Sequence, residues 1–552
     1  MDLAILKSAT LVVFLSAVPA GHMNPLPPLQ RSVQYNVVMV MSDSFDGRLT
    51  STLDSPVVSL PNLNFMKHHG AVFLNAYTNS PICCPSRSAM WSGLFPHLTQ
   101  SWNNFKCLEP GYPTWMDLLK AKGLITQKFG KQDYTSGSHS LSRHLSHSVF
   151  AFSNRVEAWT RDVQFLLRQE GRPMANLTTN RTQIRIMEED WKNADLAVKW
   201  IRTQSNSSQP FFLYLGLNLP HPYPSESMGK NRGSSTFLTS LYWLQKVSYK
   251  DITFPKWLPV KRMHPVDYYS SYTKNCTGHF TDQEILNIRA HYYAMCAETD
   301  GIMGEIFSAL NDTGLLNTTY VLYTSDHGEL AMEHRQFYKM SMYEGSSHIP
   351  LLMMGPEIKP GTVISNIVSL VDLYPTMLEI AGLPVPRNIS GYSLMPLLSA
   401  TSQNSVLSIS DLHPNWALSQ FHGSNANAST YMLRDNYWKY IAYSDGDSVS
   451  PQLFDLSTDE DELRNVAPLY PEIVLSMEKK LQSIIDYKKI SYDVHKYNKE
   501  EFIKWRASIG QNYSNVISNL RWHTDWNKRP KACELAIDKW LESGNNEIPM
   551  KD

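Results

Sequence analysis

The chain has 552 residues, with 50 Lys+Arg against 51 Asp+Glu and a formal net charge of -1 when histidine is neutral. At roughly 150 residues per domain, that length predicts two to four domains, or one large α/β domain with a smaller one. Apolar residues make up 42% and charged residues 18%, which supports a sizeable core and excludes wholesale disorder. The balanced charge argues against a nucleic-acid binder, which carries a basic excess, and six cysteines are too few for a disulfide framework. The 18 histidines change the picture in acid: at an ordinary pKa of about 6.5, most would be protonated near pH 5 and the chain would be cationic.

The opening MDLAILKSATLVVFLSAVPAG predicts a secretory signal peptide over residues 1–20. Lys7 precedes an apolar run, and Val18-Pro19-Ala20 offers small residues for cleavage. The run is too short to span a bilayer, and nothing comparable follows, so no membrane span is expected. Nine Asn-x-Ser/Thr sequons, at Asn176, Asn180, Asn206, Asn275, Asn311, Asn317, Asn388, Asn427 and Asn512, fit a lumenal or secreted glycoprotein.

Further along, short apolar runs end abruptly in polar residues. Tyr35–Met41 (YNVVMVM) breaks at Ser42-Asp43-Ser44, and a weaker run over 124–129 precedes Gly130-Lys131. Phe211–Leu217 (FFLYLGL) breaks at Asn218-Leu219-Pro220-His221, and Tyr320–Tyr323 (YVLY) at Ser325-Asp326-His327. Continuous apolar runs of this length suit strands buried on both faces of a parallel sheet. The amphipathic stretches 187–202 and 284–310 supply covering helices. The expected fold is therefore α/β, a large mixed and mostly parallel sheet sandwiched by helices. In such sheets ligands sit beyond the carboxyl ends of the strands, where these runs deliver Asp, His and Lys. A Ser-rich passage over 391–405 sets a boundary between a catalytic domain (33–400) and a C-terminal α+β subdomain (401–552). There, 430–433, 438–443 and 452–456 predict a small antiparallel sheet, followed by a charged, Trp-rich helical tail.

The most informative stretch is Asn79-Ser80-Pro81-Ile82-Cys83-Cys84-Pro85-Ser86-Arg87. Pro85 suits the first turn of a helix running on to Leu94, and a helix N-terminus favours an anion. Cys-x-Pro-Ser-Arg, read from Cys83, resembles the signature of the sulfatase family within the alkaline-phosphatase superfamily. Cys84 fails the register, because Pro must fall two residues on and Arg four. The resemblance extends from Tyr35 through most of the C-terminal region. It implies that Cys83 is converted to formylglycine by the formylglycine-generating enzyme, and that one Ca²⁺ is held by Asp43, Asp326, His327 and the modified Cys83. Oxygen ligands suit that hard cation. Three departures from the family pattern stand out: Ser44 replaces a second Asp, His327 replaces an Asn, and Asp133 replaces a His two residues beyond Lys131. Asp46 is a candidate to compensate for Ser44.

The resemblance also implies that Arg87 orients the formylglycine and that Lys131, His221 and Lys339 contact the sulfate, with His264 a further substrate contact. A sulfate ester gains negative charge on its leaving oxygen as the S–O bond breaks, so cations and donors are needed around it. A hydroxyl of the hydrated aldehyde would attack sulfur, His221 or a lysine would protonate the leaving oxygen, and the second hydroxyl would later expel sulfate. The Asp-His pairing resembles uronate 2-sulfatases. The implied enzyme is an exo-acting, lysosomal and partly secreted hydrolase that removes 2-O-sulfate from glucuronate in glycosaminoglycan chains. Alternatives are an arylsulfatase with another sulfated sugar substrate, a phosphoesterase of the same superfamily, and a non-catalytic glycan-binding glycoprotein. Of the cysteines remaining beside Cys83, an odd number, Cys84 is expected to be free and Cys276 is a possible partner for Cys296.

Overall fold

A computed structural model describes residues 35–51, 55–137, 155–163, 166, 169–224, 235–400, 413–424, 426–520 and 523–543. The expected signal peptide (1–20) and the end of the predicted boundary passage lie outside the described residues. Ten strands belong to the larger part of the chain. They are β1 (Asn36–Asp43), β2 (Gly70–Tyr77), β3 (Ile125–Gly130), β4 (Met174–Leu177), β5 (Phe211–Pro220), β6 (Tyr223–Pro224), β7 (Ser235–Thr239), β8 (Thr319–Ser325), β9 (Leu351–Met354) and β10 (Thr362–Ser369). Seven of them form one sheet in the order β10-β2-β9-β8-β1-β5-β3. All neighbours are parallel except β9, which runs against both β2 and β8. The fold is the expected mixed, mostly parallel one.

Strand β1 explains the arrangement. All eight of its residues are buried. Val38 and Val40 face one core with the helices Glu188–Thr203 and Asp282–Asp312, while Val37, Met39 and Met41 face another with Cys83–Ser92 and Leu373–Ile380. A strand covered on both sides has no polar face to show, which is why it reads as a continuous run. The long helix is fixed at its start by a capping box: the Glu284 N–H donates to Thr281 Oγ1 at 3.3 Å and the Thr281 N–H to Glu284 Oε2 at 2.8 Å, satisfying two otherwise orphaned donors.

The C-terminal region forms a second, antiparallel sheet of β11 (Trp416–Phe421), β12 (Thr430–Asp435), β13 (Trp438–Tyr443) and β14 (Gln452–Asp455). It is fastened to the larger part by polar groups as well as by packing. Asn79, in the loop leading to Cys83, donates from Nδ2 to Leu418 O at 3.0 Å and accepts the Val371 N–H at 2.8 Å. The Gln420 N–H donates to Asn79 O at 3.0 Å. Nearby, the fully buried Lys439 of β13 lies 2.6 Å from both Glu344 Oε1 and Glu462 Oε1 and donates to Met342 O at 2.9 Å.

Two cysteine expectations are overturned. Cys84 is not free but bonded to Cys107, with Cα atoms 6.1 Å apart, because the turn after the Pro96–Thr99 helix returns the chain beside the helix Cys83–Ser92. Cys276 and Cys296 are not paired; both are buried thiols, the second inside the core of the Asp282–Asp312 helix.

Replacing Lys439 with Met would leave two buried carboxylates facing each other, a loss of about 3–5 kcal/mol that would lower the urea midpoint at pH 7.5. Burial, with the nearby Glu344, pushes the Glu462 pKa up to about 7. At pH 5 one carboxyl is already neutral, so the deficit there should shrink. An equal deficit at both pH values would contradict this account.

Candidate active site

Four adjacent strands, β8, β1, β5 and β3, point the same way. Their carboxyl ends therefore present Asp326-His327, Asp43, His221 and Lys131 side by side. Opposite them, the helix Cys83–Ser92 begins at Cys83. It is tied down by Ser86 Oγ, which donates to Asp326 O at 2.6 Å, and it ends at Gly93, whose positive φ of 72° closes the last turn. Ligand atoms of Asp43, Cys83, Asp326 and His327 all lie within 4.8 Å of one another and all four residues are buried. Cys83 Sγ is 3.4 Å from His327 Nε2, which is in turn 3.5 Å from Asp43 Oδ1 and from Asp326 Oδ1.

Cations balance these carboxylates. Arg87, one turn beyond Cys83, donates from Nε to Asp326 Oδ2 at 2.7 Å, and its other nitrogens reach Lys131 O at 3.1 Å, Tyr214 Oη at 2.9 Å and Ser42 O at 3.3 Å. Lys131 Nζ is 2.9 Å from Asp43 Oδ2 and 3.2 Å from Asp133 Oδ2, and Lys339 Nζ is 4.0 Å from Asp43 Oδ1. Burial opposes the charge on Asp43, yet Lys131, His221, Lys339 and His327 together hold its pKa well below the usual value. Burial likewise opposes the charge on Lys131, and Asp43 and Asp133 outweigh it, raising that pKa. Asp133, at a position where the resemblance implies a histidine, is thus part of the charge balance.

The turn that aims Lys131 depends on two glycines. A Cβ at Gly130, whose φ is 73°, would stand 2.0 Å from Gly216 O, and one at Gly216 would stand 1.8 Å from Lys131 O. Only this close approach lets the Lys131 N–H donate to Gly216 O at 2.9 Å.

His221 follows β5 and feels Lys339, Asp43, Lys131 and His327. Burial, with the lysines, pushes its pKa well below the usual value. Its Nδ1 lies 2.6 Å from Pro222 O; a carbonyl only accepts, so Nδ1 carries the proton and Nε2 holds the free lone pair. Burial, with Lys339 in the same direction, also lowers the pKa of His327. His97 and His334 are driven down to about 4 by burial, and His291 and His422 are lowered for the same cause. Burial therefore holds these histidines below the ordinary value, and a plain count of the 18 overstates the charge gained near pH 5.

His264 is placed elsewhere. Its Nε2 lies 3.0 Å from Ser450 O and its ring stacks on Tyr443. Asp46 does not stand in for Ser44, because its carboxylate is held by Arg48 at 2.7 Å, which also pairs with Glu333 at 2.8 Å. Ser44 itself adopts a left-handed φ of 70° and donates from Oγ to Asp43 Oδ1 at 3.0 Å. All nine sequon asparagines are described; Asn275 is half-buried and the other eight are exposed. Two residues that sequence reasoning missed complete the site. Tyr214, whose hydroxyl accepts from Arg87, was visible only as a phenol inside an apolar run. Asp190 looked like an ordinary first-turn helix acid. Its carboxylate instead accepts the N–H of Asn218 at 2.8 Å, the N–H of Leu219 at 2.7 Å and the Asn218 amide at 2.8 Å, holding the segment that carries His221.

Comparison with known proteins identifies the family. The sulfatase family model matches residues 35–383, and the model for the C-terminal region of N-sulphoglucosamine sulphohydrolase matches 332–487. The chain belongs to the sulfatase family and is a sulfuric ester hydrolase. It is similar to Arylsulfatase K of Xenopus laevis (69% identical over 540 residues, 97% of this chain and 99% of the relative) and to Arylsulfatase K of Homo sapiens (67% over 512 residues, 93% of each). Solved structures share the fold at lower identity. A phosphonate monoester hydrolase from Silicibacter pomeroyi has a TM-score of 0.64 at 19% identity, covering 82% of this chain and 96% of that one. A 2-O GAG sulfatase has a TM-score of 0.59 at 21% identity, covering 83% and 94%.

Replacing Asp190 with Asn would turn an amide donor toward the Asn218 and Leu219 N–H groups. We expect a stability loss of about 1–3 kcal/mol in thermal unfolding and a lower kcat/KM as His221 loses its fixed position. Unchanged turnover would show that this clamp does not matter to the reaction.

Proposed function

We propose that this chain is a lysosomal, partly secreted, exo-acting sulfatase that removes 2-O-sulfate from glucuronate in glycosaminoglycan chains, with Cys83 as formylglycine and one Ca²⁺. The observation that carries the reading is the meeting of Asp43, Cys83, Asp326 and His327 within 4.8 Å, ringed by Arg87, Lys131 and Lys339. Calcium–ligand distances of about 2.3–2.6 Å allow donors on one ion to lie up to about 5 Å apart, so the four positions are spaced for a single cation. Two carboxylates suit it, and an oxygen-bearing group at position 83 would suit it better than a thiol. Bound there, the cation would lower the pKa of a hydroxyl on residue 83 and take up negative charge.

The remaining chemistry falls to side chains of this chain. Arg87 fixes Asp326 and the helix that carries residue 83. Lys131 and Lys339 place two ammonium groups beside Asp43, where the sulfate oxygens would gain charge. His221, with Nδ1 committed to Pro222, has Nε2 available. For His221 to protonate the leaving oxygen, Nε2 must first take up a proton, and the negative charge of a bound sulfate ester would offset the lysines that disfavour it. His264, whose partners lie in and beside the C-terminal sheet, has no part in this scheme. Cys83 is 1% exposed, so the formylglycine-generating enzyme would have to act before the fold closes. The 2-O-sulfated glucuronate assignment is supported by the Asp326-His327 pairing and by similarity to the Arylsulfatase K relatives. Eight exposed sequon asparagines support a glycoprotein that has passed through the secretory pathway.

The reading is tested with disaccharides sulfated at a single position. Turnover confined to 2-O-sulfated glucuronate is expected, and preference for another sugar or for phosphate esters would overturn the assignment. Peptide mass spectrometry should find the Cys83 peptide in the aldehyde or hydrated form; an unmodified thiol in active enzyme would exclude the nucleophile. Adding Ca²⁺ should stabilise the protein by about 2.7 kcal/mol at a hundredfold excess over Kd, an effect that chelation reverses and Asp43→Asn abolishes.

A further inference from the structure

We propose that Lys274 is a positioning residue that holds the peptide carrying Lys339, and so aims the Lys339 ammonium at the sulfate site; this rests on the reading of Lys339 as a sulfate contact. Between β8 and β9 the chain around Lys339 follows an unusual path. Ala331, Met332, His334, Arg335, Tyr338 and Met340 all have φ between 44° and 81°, a region that non-glycine residues seldom occupy and that persists only when surroundings enforce it. Tyr338 and Met340 flank Lys339 directly, so the direction of its side chain depends on how that one stretch of backbone is held.

It is held on both sides. The Lys339 carbonyl accepts from Lys274 Nζ at 2.5 Å, and the next N–H, that of Met340, donates to Pro81 O at 3.0 Å. The same peptide unit is thus clamped between a buried ammonium and the strand-to-helix loop that leads to Cys83. Lys274 is fully buried, just beyond the helix Pro265–Thr273, and also donates to Gln336 Oε1 at 3.3 Å. Ser270 Oγ donates to that oxygen at 2.8 Å and Ser271 Oγ to Arg335 O at 2.7 Å. Glu329 accepts the Ala331 and Tyr338 N–H groups from within the loop. A charged donor to a carbonyl is stronger than a neutral one. Burying an ammonium is unfavourable unless it is well satisfied, which marks this lysine as more than packing.

The test is a double-mutant cycle on the full-length enzyme with a small aryl sulfate, measuring kcat and KM separately. Lys274→Met should raise KM about tenfold or more, Lys274→Arg should recover most of the loss, and Lys274→Met/Lys339→Ala should be no worse than Lys339→Ala alone. Formylglycine content at Cys83 and the Ca²⁺-induced thermal shift should stay as in the unmutated enzyme. Additive losses, or a folded Lys274→Met enzyme with unchanged KM, would overturn the positioning role while leaving the sulfatase reading intact. Full turnover by Lys339→Ala would overturn the role of Lys339 and this proposal with it. Should Lys274→Met not fold, Lys274→Gln carries the same cycle.

Discussion

Two carboxylates buried at the ends of neighbouring parallel strands set the terms for the rest of the site. Asp43 and Asp326 are both fully buried, and an isolated buried charge is strongly unfavourable. The pair Arg87–Asp326 and the pair Lys131–Asp43 answer that demand. The positive groups must come from elsewhere in the chain, since the strands themselves are apolar. Arg87 arrives on the helix after β2, Lys131 at the end of β3 and Lys339 from the loop after β8. The strand order β8-β1-β5-β3 is therefore also an electrostatic arrangement, in which each carboxylate has a cation from a different connection. A cation bound among the four donors and an anionic substrate above the lysines would extend the same alternation of charge.

Because these groups sit on irregular backbone beyond the strands, their positions are enforced by contacts from behind. Gly130 and Gly216 let the ends of β3 and β5 approach closely enough for one main-chain hydrogen bond. Asp190 gathers the donors of Asn218 and Leu219 beneath His221. Asn79 joins the approach to Cys83 to β11. The disulfide Cys84–Cys107 ties the first turn of the helix Cys83–Ser92 to the chain after it, while the Cys84 N–H donates to Asn104 Oδ1 at 3.0 Å. The C-terminal sheet thus does more than cover a surface, since it supplies part of the frame that sets where residue 83 points.

Strands buried on both faces leave a plain record in the sequence, and β1, β5 and β8 are legible as apolar runs ending in site residues, while β3, a half-buried strand at the sheet edge, leaves a weaker run. Strand β10 is also less legible. It alternates buried and exposed residues at the sheet edge, and β9 has four residues, too few for a pattern to stand out. The Cys-x-Pro-Ser-Arg register exposes Cys83 and Arg87 because a helical turn and its chemistry share one short segment. Cys84–Cys107 was not legible, since proximity across 23 residues is a property of the folded loop. Nor was the fate of Asp46. Its spacing from Asp43 suits a ligand, but Arg48 and Glu333 draw it into a separate ion-pair group.

The charge balance at acid pH shows the same limit and then recovers part of the original inference. Counting histidines predicts a cationic chain near pH 5, yet burial keeps several of them neutral, including His97 and His334 at about 4. Buried carboxyls move the other way. Burial pushes Asp190 and Asp300 up to about 6 and Glu298, Glu329 and Glu462 up to about 7. A carboxyl with a raised folded-state pKa is held protonated while its unfolded counterpart ionises. Stability from such groups is therefore greatest in acid and declines as pH rises from the unfolded value near 4 toward 7. The buried histidines act oppositely, because the unfolded chain takes up protons below about 6.5 that the fold refuses. Acidification from pH 7 to 5 thus removes negative charge from the interior more than it adds positive charge there. The chain still becomes less anionic overall, as a sulfated polyanionic substrate would favour, and burial with the neighbouring lysines works against a further charge on His221 beside Lys131 and Lys339.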